Sequence, residues 1–180
     1  MAKILFFGYG VFSNTERLRQ ILGREPEGGE SAIIGGYDLG VQKLESIPGR
    51  AKKILESVYG KTFRAYTLKK GHGLVQGKLW LLTEEDFKKI KEWSFVNESE
   101  DPWREVVETY ATTSKGEKVP VLTEKILESQ RIDEFVEGLN YETELNANLQ
   151  RELELQRLRE LDRSYIMNET NRIREQLVKM

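Results

Sequence analysis

The chain has 180 residues, of which 32% are charged and 38% hydrophobic, with a formal net charge of -2. That length fits one domain of ordinary size with some chain left over. A charge this small sets up no field toward nucleic acid or anionic lipid, and no run approaches the ~20 apolar residues of a membrane span, so neither is expected as a partner. There is no cysteine, which excludes disulfides, thiolate metal sites and a cysteine nucleophile. His72 is the only histidine and cannot build a zinc site or a triad alone. Its place between Gly71 and Gly73 suggests an exposed turn. The apolar run Ile4-Leu5-Phe6-Phe7 is too short for a signal-peptide core, so a cytoplasmic setting is expected.

Along the chain, Lys3 to Phe7 reads as a buried strand that Gly8-Tyr9-Gly10 breaks. Ser13 or Asn14 can cap a short helix carrying Leu18, Ile21 and Leu22, with Gly23 as its stop. Arg24 to Glu30 reads as a loop. Ala32 to Leu39 is a second strand, with a bulge expected at Gly35-Gly36. A short helix fits Pro48 to Tyr59. Thr62 to Leu68 and Gly73 to Leu82 read as two further strands. Thr83 is an N-cap, and Glu84, Glu85 and Asp86 suit the positive end of the helix dipole. That helix buries Phe87, Ile90 and Trp93. After a polar loop, Trp103 to Ala111 and Val119 to Leu122 pair around the turn at Ser114-Lys115-Gly116-Glu117. Regular βαβ alternation is weak, so the expectation is α+β: a mixed sheet or small barrel with short peripheral helices.

From about Ile126 the composition shifts. Glycine and proline end at Gly138, and Leu145, Leu149 and Leu153 step by four. A strict heptad fails, because Asn168 and Arg172 would fall in the seam. Residues 126–180 are therefore expected to be a long C-terminal helical extension. Its leucine stripe must be buried on its own domain or on another subunit.

Three ordered features make residues 1–125 resemble the γ-glutamylcyclotransferase-like family. The first strand runs into the loop Tyr9-Gly10-Val11-Phe12. Gly77-Lys78-Leu79-Trp80-Leu81-Leu82-Thr83 is similar to the family strand that leads into a short helix. Ile90-Lys91-Glu92-Trp93-Ser94, then Trp103-Arg104-Glu105-Val106-Val107, is similar to the helix end that carries the catalytic glutamate and the strand after it. The resemblance implies a barrel-like fold with a small cavity at the Tyr-Gly loop. In active members the α-amine of a γ-glutamyl group attacks its own γ-carbonyl, giving 5-oxoproline and a free amine. No metal or cofactor is implied. Loop N–H groups from Tyr9, Gly10, Val11 and Phe12 would hold a substrate oxygen. A carboxylate would move the proton, a contribution of ~10²–10⁴-fold.

Aligned without gaps, the family glutamate falls on Ser94, and a serine hydroxyl without a partner is no base near neutral pH. Glu92, Glu98 and Glu100 are the nearby substitutes. The favoured expectation is a degenerate domain acting in binding or assembly, as in a virion or other large complex. On that view residues 140–180 contact a protein partner or a second copy. The alternatives are an active cyclotransferase with a relocated acid, and a non-catalytic sensor of γ-glutamyl compounds.

Overall fold

A computed structural model describes residues 3–96, 101–143 and 145. Six strands and three α-helices follow in order: β1 (Ile4–Gly8), α1 (Thr15–Leu22), β2 (Glu27–Lys43), α2 (Gly49–Tyr59), β3 (Arg64–Leu82), α3 (Glu84–Trp93), β4 (Arg104–Thr113), β5 (Lys118–Ile126) and β6 (Glu134–Val136). Strand order is β3-β1-β5-β4-β2-β6, and β2 also pairs with β3. That extra pairing closes the first five strands into a mixed barrel. Only β1 and β5 run parallel in it, with Phe6 opposite Leu122; the other pairs are antiparallel.

The barrel is filled by alternate residues from all five strands, among them Phe7, Ile34, Leu39, Leu68, Val75, Ala111 and Val121. Because side chains alternate along a strand, their neighbours face outward. Phe6, Trp80 and Leu82 thus meet Leu18, Leu22, Phe87 and Ile90 from α1 and α3. A third cluster joins α2 to Trp103, Phe95 and Ile126. Burying large side chains such as these stabilises a fold by roughly 1.5–3 kcal/mol each.

Several local expectations hold. Asn14, not Ser13, caps α1, its Oδ1 accepting from the Arg17 N–H at 3.1 Å. Thr83 caps α3 in a reciprocal capping box with Asp86. The β2 register shifts between Gly35 and Tyr37, where the bulge was expected.

Others are corrected. Glu27 to Glu30 belong to β2, because Gly28 and Glu30 pair with Trp80 and Leu79. The two strands expected on either side of His72 are one, β3, of 19 residues, which pairs along its length with β2, of 17. His72 is exposed, but it lies in that strand and not in a turn. Of the helical extension expected over 126–180, residues 127–143 are not helical. They lie along the barrel and contribute β6, which pairs Leu39 with Val136. The leucine-rich stretch from 146 onward lies outside the described residues. No helix among the described residues is long and apolar enough to cross a membrane.

Candidate functional site

At the end of β1 the chain enters a 3-10 turn over Gly10–Ser13. Gly10 has φ +58, and a Cβ there would come 3.0 Å from the Tyr66 ring, so the loop needs a residue without one. The Phe12 N–H donates to the Tyr9 carbonyl at 3.1 Å, and the Ser13 hydroxyl donates to the Gly10 carbonyl at 2.6 Å. The Trp80 indole donates to the Phe12 carbonyl at 2.8 Å, tying the loop to β3. Tyr9 and Phe12 are buried, and Val11 is half-buried against the helical layer.

The Gly10 N–H turns away from its own loop and donates to the Tyr141 hydroxyl at 3.2 Å. That hydroxyl in turn donates to the Gln76 carbonyl at 2.6 Å. Tyr141 belongs to a strap of chain crossing this end of the barrel. The Gln76 N–H donates to the Gly138 carbonyl at 2.8 Å, the Tyr66 hydroxyl donates to the Glu142 carbonyl, and Arg64 donates to the Leu145 carbonyl at 2.9 Å. The Tyr66 and Tyr141 rings meet edge to face at 5.1 Å. Beside the strap opens a cavity of about 470 Å³, lined by Ser13, Asn14, Gln76, Lys78, Asn140 and Tyr141 among others.

Ser94 is the C-terminal cap of α3 and is buried; its N–H donates to the Ile90 carbonyl at 3.0 Å. Phe95, with φ +57, turns the chain sharply after it. The surroundings of Ser94 were not legible in advance. Its hydroxyl faces the carboxylate of Glu124, on β5, which has no solvent exposure. Arg104 of β4 approaches the same carboxylate, Nη1 to Oε1 at 3.6 Å. The guanidinium stacks 4.2 Å from the Trp103 ring and donates to the Tyr66 carbonyl at 2.5 Å.

Among the described residues, neither Glu124 oxygen, nor the Ser94 hydroxyl, nor the buried Tyr9 hydroxyl makes a hydrogen bond of good geometry. Burial pushes the Glu124 carboxyl up to about 7, although Arg104, the Ser94 hydroxyl and Lys91 pull it back. Burial also pushes the Tyr9 hydroxyl up to about 12; Arg104 pulls it back, while Glu124 and Tyr141 push it further up.

Of the residues singled out in the sequence, Tyr9 and Ser94 both lie near the buried Glu124, while Gly10 meets the strap through Tyr141 and Phe12 packs into the helical layer. Glu92 is exposed on α3, while Glu98 and Glu100 lie outside the described residues. Glu124 and Tyr141 were missed. A signal for Glu124 existed in Leu122-Thr123-Glu124-Lys125-Ile126, where the glutamate falls in step with two apolar residues and so on a buried face. Tyr141 left no such signal, since its contacts join residues 65 or more positions apart.

No protein-family model and no curated protein matches the chain. Solved structures do. One titled gamma-glutamyl cyclotransferase aligns with a TM-score of 0.56 at 14% identity, over 72% of this chain and 69% of that one. An uncharacterised Homo sapiens protein aligns at 0.57 and 15%, over 73% and 70%. An Arabidopsis thaliana protein solved in solution aligns at 0.54 and 19%, over 89% of each. At such identities the likeness is one of fold, and in fold the chain is γ-glutamyl cyclotransferase-like, as its ordered sequence features implied.

Proposed function

We propose that the Tyr9–Phe12 loop and the neighbouring cavity beside the strap, which begins at Ser13, hold a γ-glutamyl amide or the 5-oxoproline that forms from one. The observation that carries this is the Gly10 N–H, which points out of its loop and takes an oxygen from a distant part of the chain. A substrate carbonyl or carboxylate is the same kind of acceptor. The shared fold with a structure titled gamma-glutamyl cyclotransferase supports the same assignment. Lys78 and the amides of Asn14, Gln76 and Asn140 give the cavity a polar lining suited to an amino-acid-like ligand.

The test is thermal unfolding of the full chain with and without 5-oxoproline. A saturable rise in Tm is expected, growing as RT ln(1 + [L]/Kd). An unchanged Tm at millimolar ligand would remove the assignment.

A role in assembly through residues 140–180 is a separate proposal, motivated by the leucine stripe. Residues 140–143 and 145 lie on their own barrel, which would tether any docking arm near the cavity mouth. Deletion of residues 146–180 should then reduce the native mass from an oligomer or complex to a monomer. An unchanged mass with no partner recovered would exclude that role.

A further inference from the structure

The Gly10 N–H is already occupied from within the chain. It donates to the Tyr141 oxygen at 3.2 Å, and the buried Ser13 hydroxyl interacts with that oxygen as well. An oxygen set between a loop N–H and a hydroxyl stands where a ligand carbonyl or carboxylate would stand. Tyr141 also lines the cavity beside the strap, and Gly10 is not among its lining residues. The tyrosine is therefore the wall between the cavity and the N–H. With the ring in place the cavity stops at Ser13. With the ring withdrawn, the space would run on to Gly10.

The strap is held more lightly than the sheet beneath it. Glycine at 138 lets it touch β3, since a Cβ there would come 2.1 Å from the Leu74 carbonyl oxygen. At that point the Gln76 N–H donates to the Gly138 carbonyl. Beyond it the ties pass through side chains: Tyr141 to the Gln76 carbonyl, Tyr66 to the Glu142 carbonyl and Arg64 to the Leu145 carbonyl. Tyr141 and Leu145, both half-buried, supply its apolar contacts, while Leu139, Asn140 and Glu142 are exposed. A segment with few buried apolar contacts opens at a lower cost than core strands do.

We propose that Tyr141 is the gate of this site: its hydroxyl stands on the Gly10 N–H in place of a ligand oxygen, and the strap must withdraw before a γ-glutamyl ligand can bind. This rests on the assignment of the Tyr9–Phe12 loop and the neighbouring cavity to such a ligand. The apparent affinity is then the intrinsic affinity multiplied by the fraction of molecules whose strap is withdrawn. Loosening the strap tightens binding. A tyrosine that merely shaped the site would behave in the opposite way, because loosening the wall of a formed site weakens binding. Burial pushes the Tyr141 hydroxyl up, so near neutral pH it keeps the proton that it donates to the Gln76 carbonyl.

The experiment measures 5-oxoproline binding to the full chain by calorimetry, for the wild type, Tyr141→Phe and Tyr66→Phe. In the wild type, NMR also follows the NOE between the Tyr66 and Tyr141 rings, whose centroids lie 5.1 Å apart. Tyr141→Phe removes the hydroxyl that occupies the N–H. Tyr66→Phe keeps its ring against Gly10 and removes the tether to the Glu142 carbonyl. Each variant should bind 5-oxoproline roughly fivefold more tightly than the wild type, the worth of one net hydrogen bond. The ring-to-ring NOE should disappear at saturating ligand, a result that needs neither variant to fold. Unchanged or weaker binding in either variant, or an NOE that persists at saturation, would overturn the gate and leave the ligand assignment standing. No binding by any of the three proteins would remove the assignment and this inference together.

Discussion

Glu124 makes a demand on stability that can be read apart from any activity. The unfolded chain releases this proton near the ordinary glutamate value of about 4.5, whereas burial in the folded chain holds it up to about 7. Between those values the native state binds more protons than the unfolded state, so stability falls as pH rises, by up to about 3 kcal/mol. Glu124→Gln should abolish that slope, measured as denaturation midpoints from pH 4 to 8. An identical slope in the variant would mean that another group carries it. At the same scale, Tyr141→Phe removes the hydroxyl that accepts from the Gly10 N–H. A net hydrogen bond of about 1 kcal/mol corresponds to roughly fivefold faster amide exchange at Gly10, measurable by NMR. Unaltered exchange would mean that the hydroxyl does not hold that N–H.

At the scale of elements, the close approach of β3 to the end of β1 depends on Gly77. A Cβ there would come 2.4 Å from the Gly8 carbonyl oxygen and 2.6 Å from the Phe7 ring. Gly77→Ala should destabilise the fold by about 1–3 kcal/mol and displace the loop that follows Gly8, both visible in chemical denaturation and in weakened 5-oxoproline binding. On α3, Thr83→Ala removes half of the capping box and should cost about 1 kcal/mol with little effect on binding, since the capped end lies a helix length from Ser94. Most of these elements were legible in the sequence because local chemistry encodes them. Thr83 and Asn14 are caps, Gly23 is a stop, and Phe6-Phe7 is a strand buried on both faces. The long β2–β3 ribbon was not legible as such. Gly71-His72-Gly73 looks like a turn until the register of Asp38 with Lys69 and Tyr37 with Lys70 continues the pairing past it. Glycine at 71 and 73 serves there because a Cβ would strike Asp38 or the Tyr37 carbonyl.

At the scale of the molecule, closure of the barrel gathers the site. Tyr9 follows β1, Ser94 ends α3, Arg104 opens β4, Glu124 lies on β5, and Tyr141 comes from the strap after β6. These residues come from distant parts of the chain, so the ordered resemblance, which singles out the loop and Ser94, could not pair Ser94 with Glu124. The sequence offered Glu92, Glu98 and Glu100 as carboxylates near Ser94, and sheet register adds the buried Glu124 from β5 beside it. The measurement that bears most directly on the site is an NMR titration of the full chain with 5-oxoproline, following the Gly10 amide. A saturable shift of that resonance is expected, reaching half-maximum at lower ligand concentration in Tyr141→Phe. A Gly10 amide that does not move at millimolar 5-oxoproline in either protein would contradict a γ-glutamyl site at this loop.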